Sequence, residues 1–415
     1  MDYVVKRVKD NIYVLSLRDT EVNYFEATRE IGHEGILYNA YVIDTPDGAI
    51  LIDGRKKGYE KAFENALTEV IGDKPIKAYV VNHSEPDHTG TFPLVIKKYD
   101  PVVYAHPFAH RLLRSFYKIN YKAHSVKNGE GVEVLGEALE FIHVPRLHRP
   151  DTIITIRNDV RFTGDVFGSY YAYADPIYYE RQEPDPDTRE PTDVKDIFIE
   201  EAAEYFATVI GTYRTRGISL LNVLKERKPG IIAPAHGLVR TKDLEVPIET
   251  YRKLIMGEPF EDSVLLLYST MYGFTLEVVR AVKEEIESRG MGIREFGFND
   301  KSFPRIADIL GSAYLCKKIV LVTSAYEAAL HPRIRFVLEL ISNKAPAREM
   351  LTFMTFGRGA AFPRDLEDAL KKAGFKMTIE RFSIGNVDEE KIRKAVSDFV
   401  GKRFLLKPST DSLSR

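Results

Sequence analysis

Two patterns of hydrophobic positions divide this chain. Up to about residue 250, short β-like apolar runs alternate with a few helical stretches. The runs cover 12–17, 41–43, 49–52, 78–81, 102–105, 139–143 and 153–156. Asp47-Gly48, between two of them, is a hairpin signal. Helical periodicity marks 59–70, 108–117 and 193–213. This mixture predicts a layered α/β domain with mixed strands. From Ser263 the pattern becomes regular. Strands at 264–268, 292–296, 319–323, 350–353 and 376–382 each precede a helix, at 275–288, 304–310, 332–342, 363–373 and 389–400. Five strand–helix pairs in succession predict a doubly wound parallel sheet. The predicted division is a first domain over 1–250, a linker over 251–262, a second domain over 263–402 and a polar tail over 403–415.

Composition narrows the class. The chain has 415 residues, 44% of them hydrophobic and 29% charged, enough for two or three cores. A net charge of −2 gives no reason to expect nucleic acid. No apolar run approaches the roughly 18 residues of a membrane span, so no membrane is expected. The first residues lack the apolar stretch of a secretory signal, and a cytoplasmic protein is expected. Cys316 is the only cysteine, which excludes disulfide frameworks and cysteine-held zinc or iron–sulfur centres within the chain. Lying just before the apolar run 319–322, it reads as a packed, inert thiol. Any redox role therefore needs an organic cofactor, or a metal held by histidine and carboxylate.

The segment Asn82-His83-Ser84-Glu85-Pro86-Asp87-His88-Thr89-Gly90 supplies such donors. It follows the apolar run Ile76-Lys77-Ala78-Tyr79-Val80-Val81, so a strand end can aim His83, Glu85, Asp87 and His88 into one small volume. His148, Asp165 and His236 also stand in strand-end loops. One histidine beside an apolar run is ordinarily a core or surface residue; seven donors at strand ends are not so easily dismissed. His106, His110, His124, His143 and His331 read as structural or solvated.

The spacing resembles the metallo-β-lactamase superfamily motif His-x-His-x-Asp-His, with Glu85 at the second histidine. That exchange resembles the flavodiiron proteins. The resemblance implies one iron held by His83, Glu85 and His148, another by Asp87, His88 and His236, and Asp165 as the bridge. A carboxylate in place of an imidazole adds charge and a harder donor, which favours iron over zinc. Where the family usually has His-Trp-Pro-Asp, this chain has His148-Arg149-Pro150-Asp151. His33, in Gly32-His33-Glu34-Gly35, is either a proton donor near the metals or a plain loop histidine.

The second domain opens with strand 264–268 and the loop Ser269-Thr270-Met271-Tyr272-Gly273-Phe274-Thr275. Hydroxyls and free backbone N–H groups at a helix start suit a phosphate monoester. The loop resembles the flavodoxin signature, with Val279 where alanine is usual. Two later loops, Ser324-Ala325-Tyr326-Glu327-Ala328 and Phe356-Gly357-Arg358-Gly359, resemble the flavin-ring loops of the flavodiiron family. An FMN site is implied. Arg333, Arg335, Lys344, Arg348, Arg358 and Arg364 form either a cationic rim for an anionic donor or ordinary solvated charges.

Together the domains resemble a flavodiiron protein over residues 1–402: a metallo-β-lactamase-like αββα domain followed by a flavodoxin-like doubly wound parallel sheet. The family's chemistry implies FMN, two iron ions per chain, and O2 reduced to water, with NO as competing substrate. With no rubredoxin or reductase extension, the expected donor is reduced coenzyme F420, as in the methanogen members, with rubredoxin as rival. The family's distant sites imply a head-to-tail homodimer or a dimer of dimers. A dinuclear zinc hydrolase with an accessory flavodoxin-like domain, and an electron carrier using FMN alone, are the other readings.

Overall fold

The computed structural model describes residues 3–401 apart from 22–23, 26–28, 31–34, 171, 179–193, 358–360 and 385. His33, Arg358, Gly359 and the polar tail lie outside the described residues. The chain forms two compact units. The first comprises residues 1–258 with 305–314; the second comprises 259–304 with 315–415.

In the first unit, a seven-stranded mixed sheet runs in chain order: Tyr3–Lys9, Ile12–Asp19, Ile36–Thr45, Gly48–Ile52, Ile76–Val81, Val102–Ala105 and Lys122–Ser125. Side chains alternate between its faces, as the pleat requires. Ile50, Ile52, Ala78 and Val80 face the second sheet's Phe141, Ile153, Phe162 and Ala233 in one core. Ala49, Leu51, Tyr79 and Val81 pack on the other side against Phe63, Leu67, Phe92 and Leu113 of the helices Glu60–Ile71, Phe92–Tyr99 and Pro107–Tyr117. The second sheet is five-stranded: Glu130–Val134, Glu137–His143, Ile153–Arg157, Val160–Gly164 and Ile231–Pro234. Only its last pair is parallel. Three of its strands, Glu137–His143, Val160–Gly164 and Ile231–Pro234, therefore end at the same edge.

The predicted helix over 193–213 proves irregular. An α-helix, Val194–Tyr205, passes into a π-helical turn, Phe206–Ile210, and a 3₁₀ segment, Gly211–Gly217. Residues read as the start of a linker belong instead to the helix Glu245–Met256, whose Gly257 takes the left-handed conformation that ends it.

The second unit is a parallel sheet with spatial order Gly292–Phe298, Ser263–Ser269, Lys318–Tyr326, Glu349–Phe356, Lys376–Ser383. In chain order this is 2-1-3-4-5, the flavodoxin-like winding. Its three central strands are buried, because helices cover both faces of such a sheet, while the edge strands Gly292–Phe298 and Lys376–Ser383 stay largely half-buried or exposed. One element departs from expectation. The helix Ile306–Leu315, predicted as a crossover of this sheet, groups over residues 305–314 with the first unit. Among the described residues, no helix is long and apolar enough to cross a membrane.

Candidate metal centre and flavin loops

Each of the seven candidate donors stands where a strand stops. His83 and Glu85 follow Ile76–Val81, and Asp87 and His88 lie in the short helix Pro86–Thr89. His148 follows Glu137–His143, Asp165 follows Val160–Gly164, and His236 follows Ile231–Pro234. The structure brings all seven together in overlapping groups.

The arrangement turns on Asp165. Its Oδ2 lies 3.2 Å from His83 Nε2 and 3.1 Å from His148 Nδ1. Its Oδ1 lies 3.1 Å from His88 Nε2 and 3.6 Å from His236 Nε2. One carboxylate thus divides its oxygens between two clusters. Glu85 completes the first, with Oε2 2.7 Å from His148 Nε2 and 3.6 Å from His83 Nε2. Asp87 completes the second, with Oδ2 3.2 Å from His88 Nε2 and 3.4 Å from His236 Nε2.

The seven-residue set is not satisfied by its own hydrogen bonds. Both ring nitrogens of His83, Asp87 Oδ1 and Asp165 Oδ1 are buried without a hydrogen-bond partner. Orphaned buried donors and acceptors are costly unless something else engages them. Metal ions satisfy such a set, and nitrogen and oxygen donors around a shared carboxylate fit a pair of them. Burial works against protonation of His88, but Asp87 and Asp165 prevail and push its imidazole up to about 10. His83 likewise sits well above its usual range: burial opposes the shift, and Asp165 and Glu85 outweigh it. Asp165 is held far below the carboxylate range by His83 and His88 despite its burial. Ligation needs neutral imidazole, so metal entry displaces these protons.

Outer partners fix the donors. His236 Nδ1 donates to Leu37 O at 2.9 Å, which leaves Nε2 facing the cluster. Asn39 Nδ2 donates to the carbonyls of Pro234 and Gly237 on either side of that histidine. Asp53 accepts from Asn82 N and Nδ2, both at 2.8 Å, and Asp151 accepts from Ser84 N at 2.8 Å, which pins the loop carrying His83. Phe25, Tyr38 and Tyr205 pack their rings against His236 and keep water from it. Sequence reasoning gave none of these a role. The one signal was Asp53-Gly54 at the end of an apolar run, the same strand-end position as the donors.

In the second unit, the three loops follow adjacent strands at the C-terminal edge of the sheet. Ser269 Oγ lies 2.8 Å from Thr323 Oγ1, and Thr275 Oγ1 lies 3.2 Å from Thr355 Oγ1. Thr270 Oγ1 accepts from Gly273 N at 3.0 Å, closing a turn in which Gly273 has a φ of +88°. Met271 is half-buried, while Tyr272 and Phe274 project into solvent. Ser324 Oγ is buried without a partner. Ala325 and Tyr326 pair with Leu330 and Ala329 in a tight hairpin, with Glu327 and Ala328 left-handed at its tip. Phe356 is half-buried and Gly357 exposed. The cradle follows the first strand, beside the third, where this winding binds its ligand. The six basic residues read as a rim or as solvated charges do not all gather at this edge. Arg348 and Lys344 lie at the opposite edge, where Glu349–Phe356 begins, and Arg335 is paired with Glu339 and Asp365. Cys316 is buried, accepts from Ser263 Oγ, and has its thiol pushed up to about 11 by burial.

Comparison with known proteins places this geometry. A family model described as "ODP family beta lactamase" matches residues 36–237. A solved flavodiiron protein from Thermotoga maritima, a point mutant, is 31% identical, covers 95% of this chain and 98% of its own, and superposes with a TM-score of 0.86. The chain belongs to the flavodiiron proteins. Among curated relatives, the coenzyme F420H2 oxidase of Methanothermobacter marburgensis is 24% identical over 397 residues, 92% of this chain and 93% of its own. The nitric oxide reductase of Moorella thermoacetica is 24% identical over 382 residues, 90% and 91%. The flavodiiron assignment makes the protein an oxidoreductase with a metallo-β-lactamase-like unit and a flavodoxin-like unit.

Proposed function

We propose that the protein is a flavodiiron oxidase that reduces O2 to water with electrons from reduced coenzyme F420. The observation that carries this reading is the Asp165 carboxylate, which gives one oxygen to His83 and His148 and the other to His88 and His236. His83, Glu85 and His148 would hold one iron, Asp87, His88 and His236 the other, and Asp165 both. Ser269, Thr270, Gly273 and Thr275, with the backbone of Met271, Tyr272 and Phe274, would take the phosphate of FMN. The loops Ser324–Ala328 (residues 324–328) and Phe356-Gly357 would flank its ring. Bound FMN supplies two-electron uptake from the coenzyme, and the iron pair supplies the place where O2 is reduced. The protein's own part is to hold seven donors in a fixed frame, to neutralise the metal charge with three carboxylates, and to exclude water with Phe25, Tyr38 and Tyr205. The working assembly on this reading is a head-to-tail homodimer or a dimer of such dimers, in the cytoplasm.

The test begins with iron and flavin counted in one purified sample; two irons and one FMN per chain are expected. Anaerobic addition of reduced coenzyme F420 should then bleach the flavin. Admission of O2 should oxidise two molecules of coenzyme per O2, the balance for two waters. Zinc without flavin would return the chain to a dinuclear hydrolase. Bleaching by reduced rubredoxin alone would change the donor, and faster turnover with NO would change the acceptor. The NO arm is warranted because a nitric oxide reductase and an F420H2 oxidase are equally similar to this chain.

A further inference from the structure

Among the described residues, one cation touches the donor set. Arg149 Nη1 lies 3.4 Å from Glu85 Oε1, while the other oxygen, Oε2, turns inward to His148 and His83. Both side chains are partly covered, at 27% exposed for Arg149 and 20% for Glu85, and Arg149 Nε is buried without a hydrogen-bond partner. The backbone beneath is locked. Arg149 N donates to Thr152 Oγ1, and Arg149 O accepts from Thr152 Oγ1, from Thr152 N and from Arg146 N. The guanidinium therefore stands on a closed turn, joined directly to His148.

We propose that Arg149 is a positioning residue for the metal centre: it holds Glu85 Oε1 away from the metal, so that Oε2 alone faces inward, and its fixed positive charge raises the centre's reduction potential. The inference rests on the iron-pair reading above. A freely solvated ion pair would contribute little. This pair instead abuts a buried cluster, where charges act through a lower effective dielectric than in water. Oxidation adds positive charge to the centre. A nearby guanidinium opposes that addition, and the reduced form gains. An aromatic side chain here could not supply the charge. A lysine could supply the charge, but as a single point without the planar fork.

The experiment compares iron-loaded wild type with R149Q and R149K. Midpoint potentials come from anaerobic redox titration followed by electron paramagnetic resonance, with iron content and the flavin potential measured on the same samples. R149Q is expected to keep its FMN potential while the iron centre moves negative. The expected size is about tenfold in the one-electron reduction equilibrium, roughly 59 mV. R149K is expected to move less. Iron lost from R149Q and restored in R149K would also support the holding role. An unchanged iron potential in R149Q with both irons bound overturns the proposal. So does an equal shift in R149K, or iron lost from both variants. Wild type that holds no iron overturns the iron-pair reading and this inference with it, which separates that failure from an unchanged potential.

Discussion

At the scale of single residues, the donor types were legible because they cluster in sequence. His83, Glu85, Asp87 and His88 fall within six positions, and alternation along a strand end is enough to see that they can converge. Their division into two groups was not legible from spacing. It came only from a family resemblance, because it depends on how Asp165 is turned, and that is set by a strand from another sheet. The outer partners Asn39 and Asp151 were invisible, and Asp53 was marked only by its strand-end place, for the same reason: each acts on a backbone group far away in the chain. The shared carboxylate makes a prediction. Asp165→Asn keeps the shape but removes the charge from both clusters at once, so both irons should weaken together. The loss should exceed the roughly 10–100-fold that removing an outer partner costs. Glu85→Gln touches one cluster only and should lower occupancy at one iron first. Iron counted against chelator concentration decides it; Asp165→Asn protein that keeps one iron at wild-type affinity would deny the bridging role.

At the scale of elements, the parallel strands of the second unit were the most legible part. Predicted strand 264–268 became Ser263–Ser269, and 350–353 became Glu349–Phe356: right in place, short at the ends. Apolar runs mark where a strand is covered on both faces, and its polar ends carry no such mark. The helix Ile306–Leu315 shows what pattern alone misses. Its apolar positions say that it is buried, not against what. The partner is set by ionic contacts remote in sequence. Arg29, 1% exposed, reaches Glu201, Glu204 and Asp308, and Asp308 belongs to this helix. Burial, reinforced by Glu201, raises the Glu204 carboxyl well above its usual range, and Arg29 opposes that rise. Removing the cation from a buried ionic cluster leaves carboxylates without compensation, at about 3–5 kcal/mol. Arg29→Met should therefore lower the first unit's stability by that order, read as a lower urea midpoint at unchanged slope. A change below about 1 kcal/mol would show the cluster to be solvated in solution.

At the scale of the whole molecule, the chain carries two compact units with a separate core in each, and one candidate site in each. The metal donors come only from the first, and the flavin loops only from the second. Loading of the two sites should then be independent, and this can be tested from both sides. Thr275 begins the helix Thr275–Ser288, and its hydroxyl now meets only Thr355 Oγ1 among the described contacts. A hydroxyl donating to a charged phosphate contributes about 1.5–3 kcal/mol. Thr275→Ala should weaken FMN retention by roughly 10- to 150-fold, with iron per chain unchanged. In the opposite direction, stripping iron with a chelator should leave FMN bound, since the metal donors and the flavin loops belong to different units. Flavin fluorescence in the filtrate, followed during iron removal, reads both arms on one scale. FMN released in step with iron would mean that the centre in one unit supports the fold of the other. The two units would then have to be treated as one cooperative body, although each has its own sheet and core.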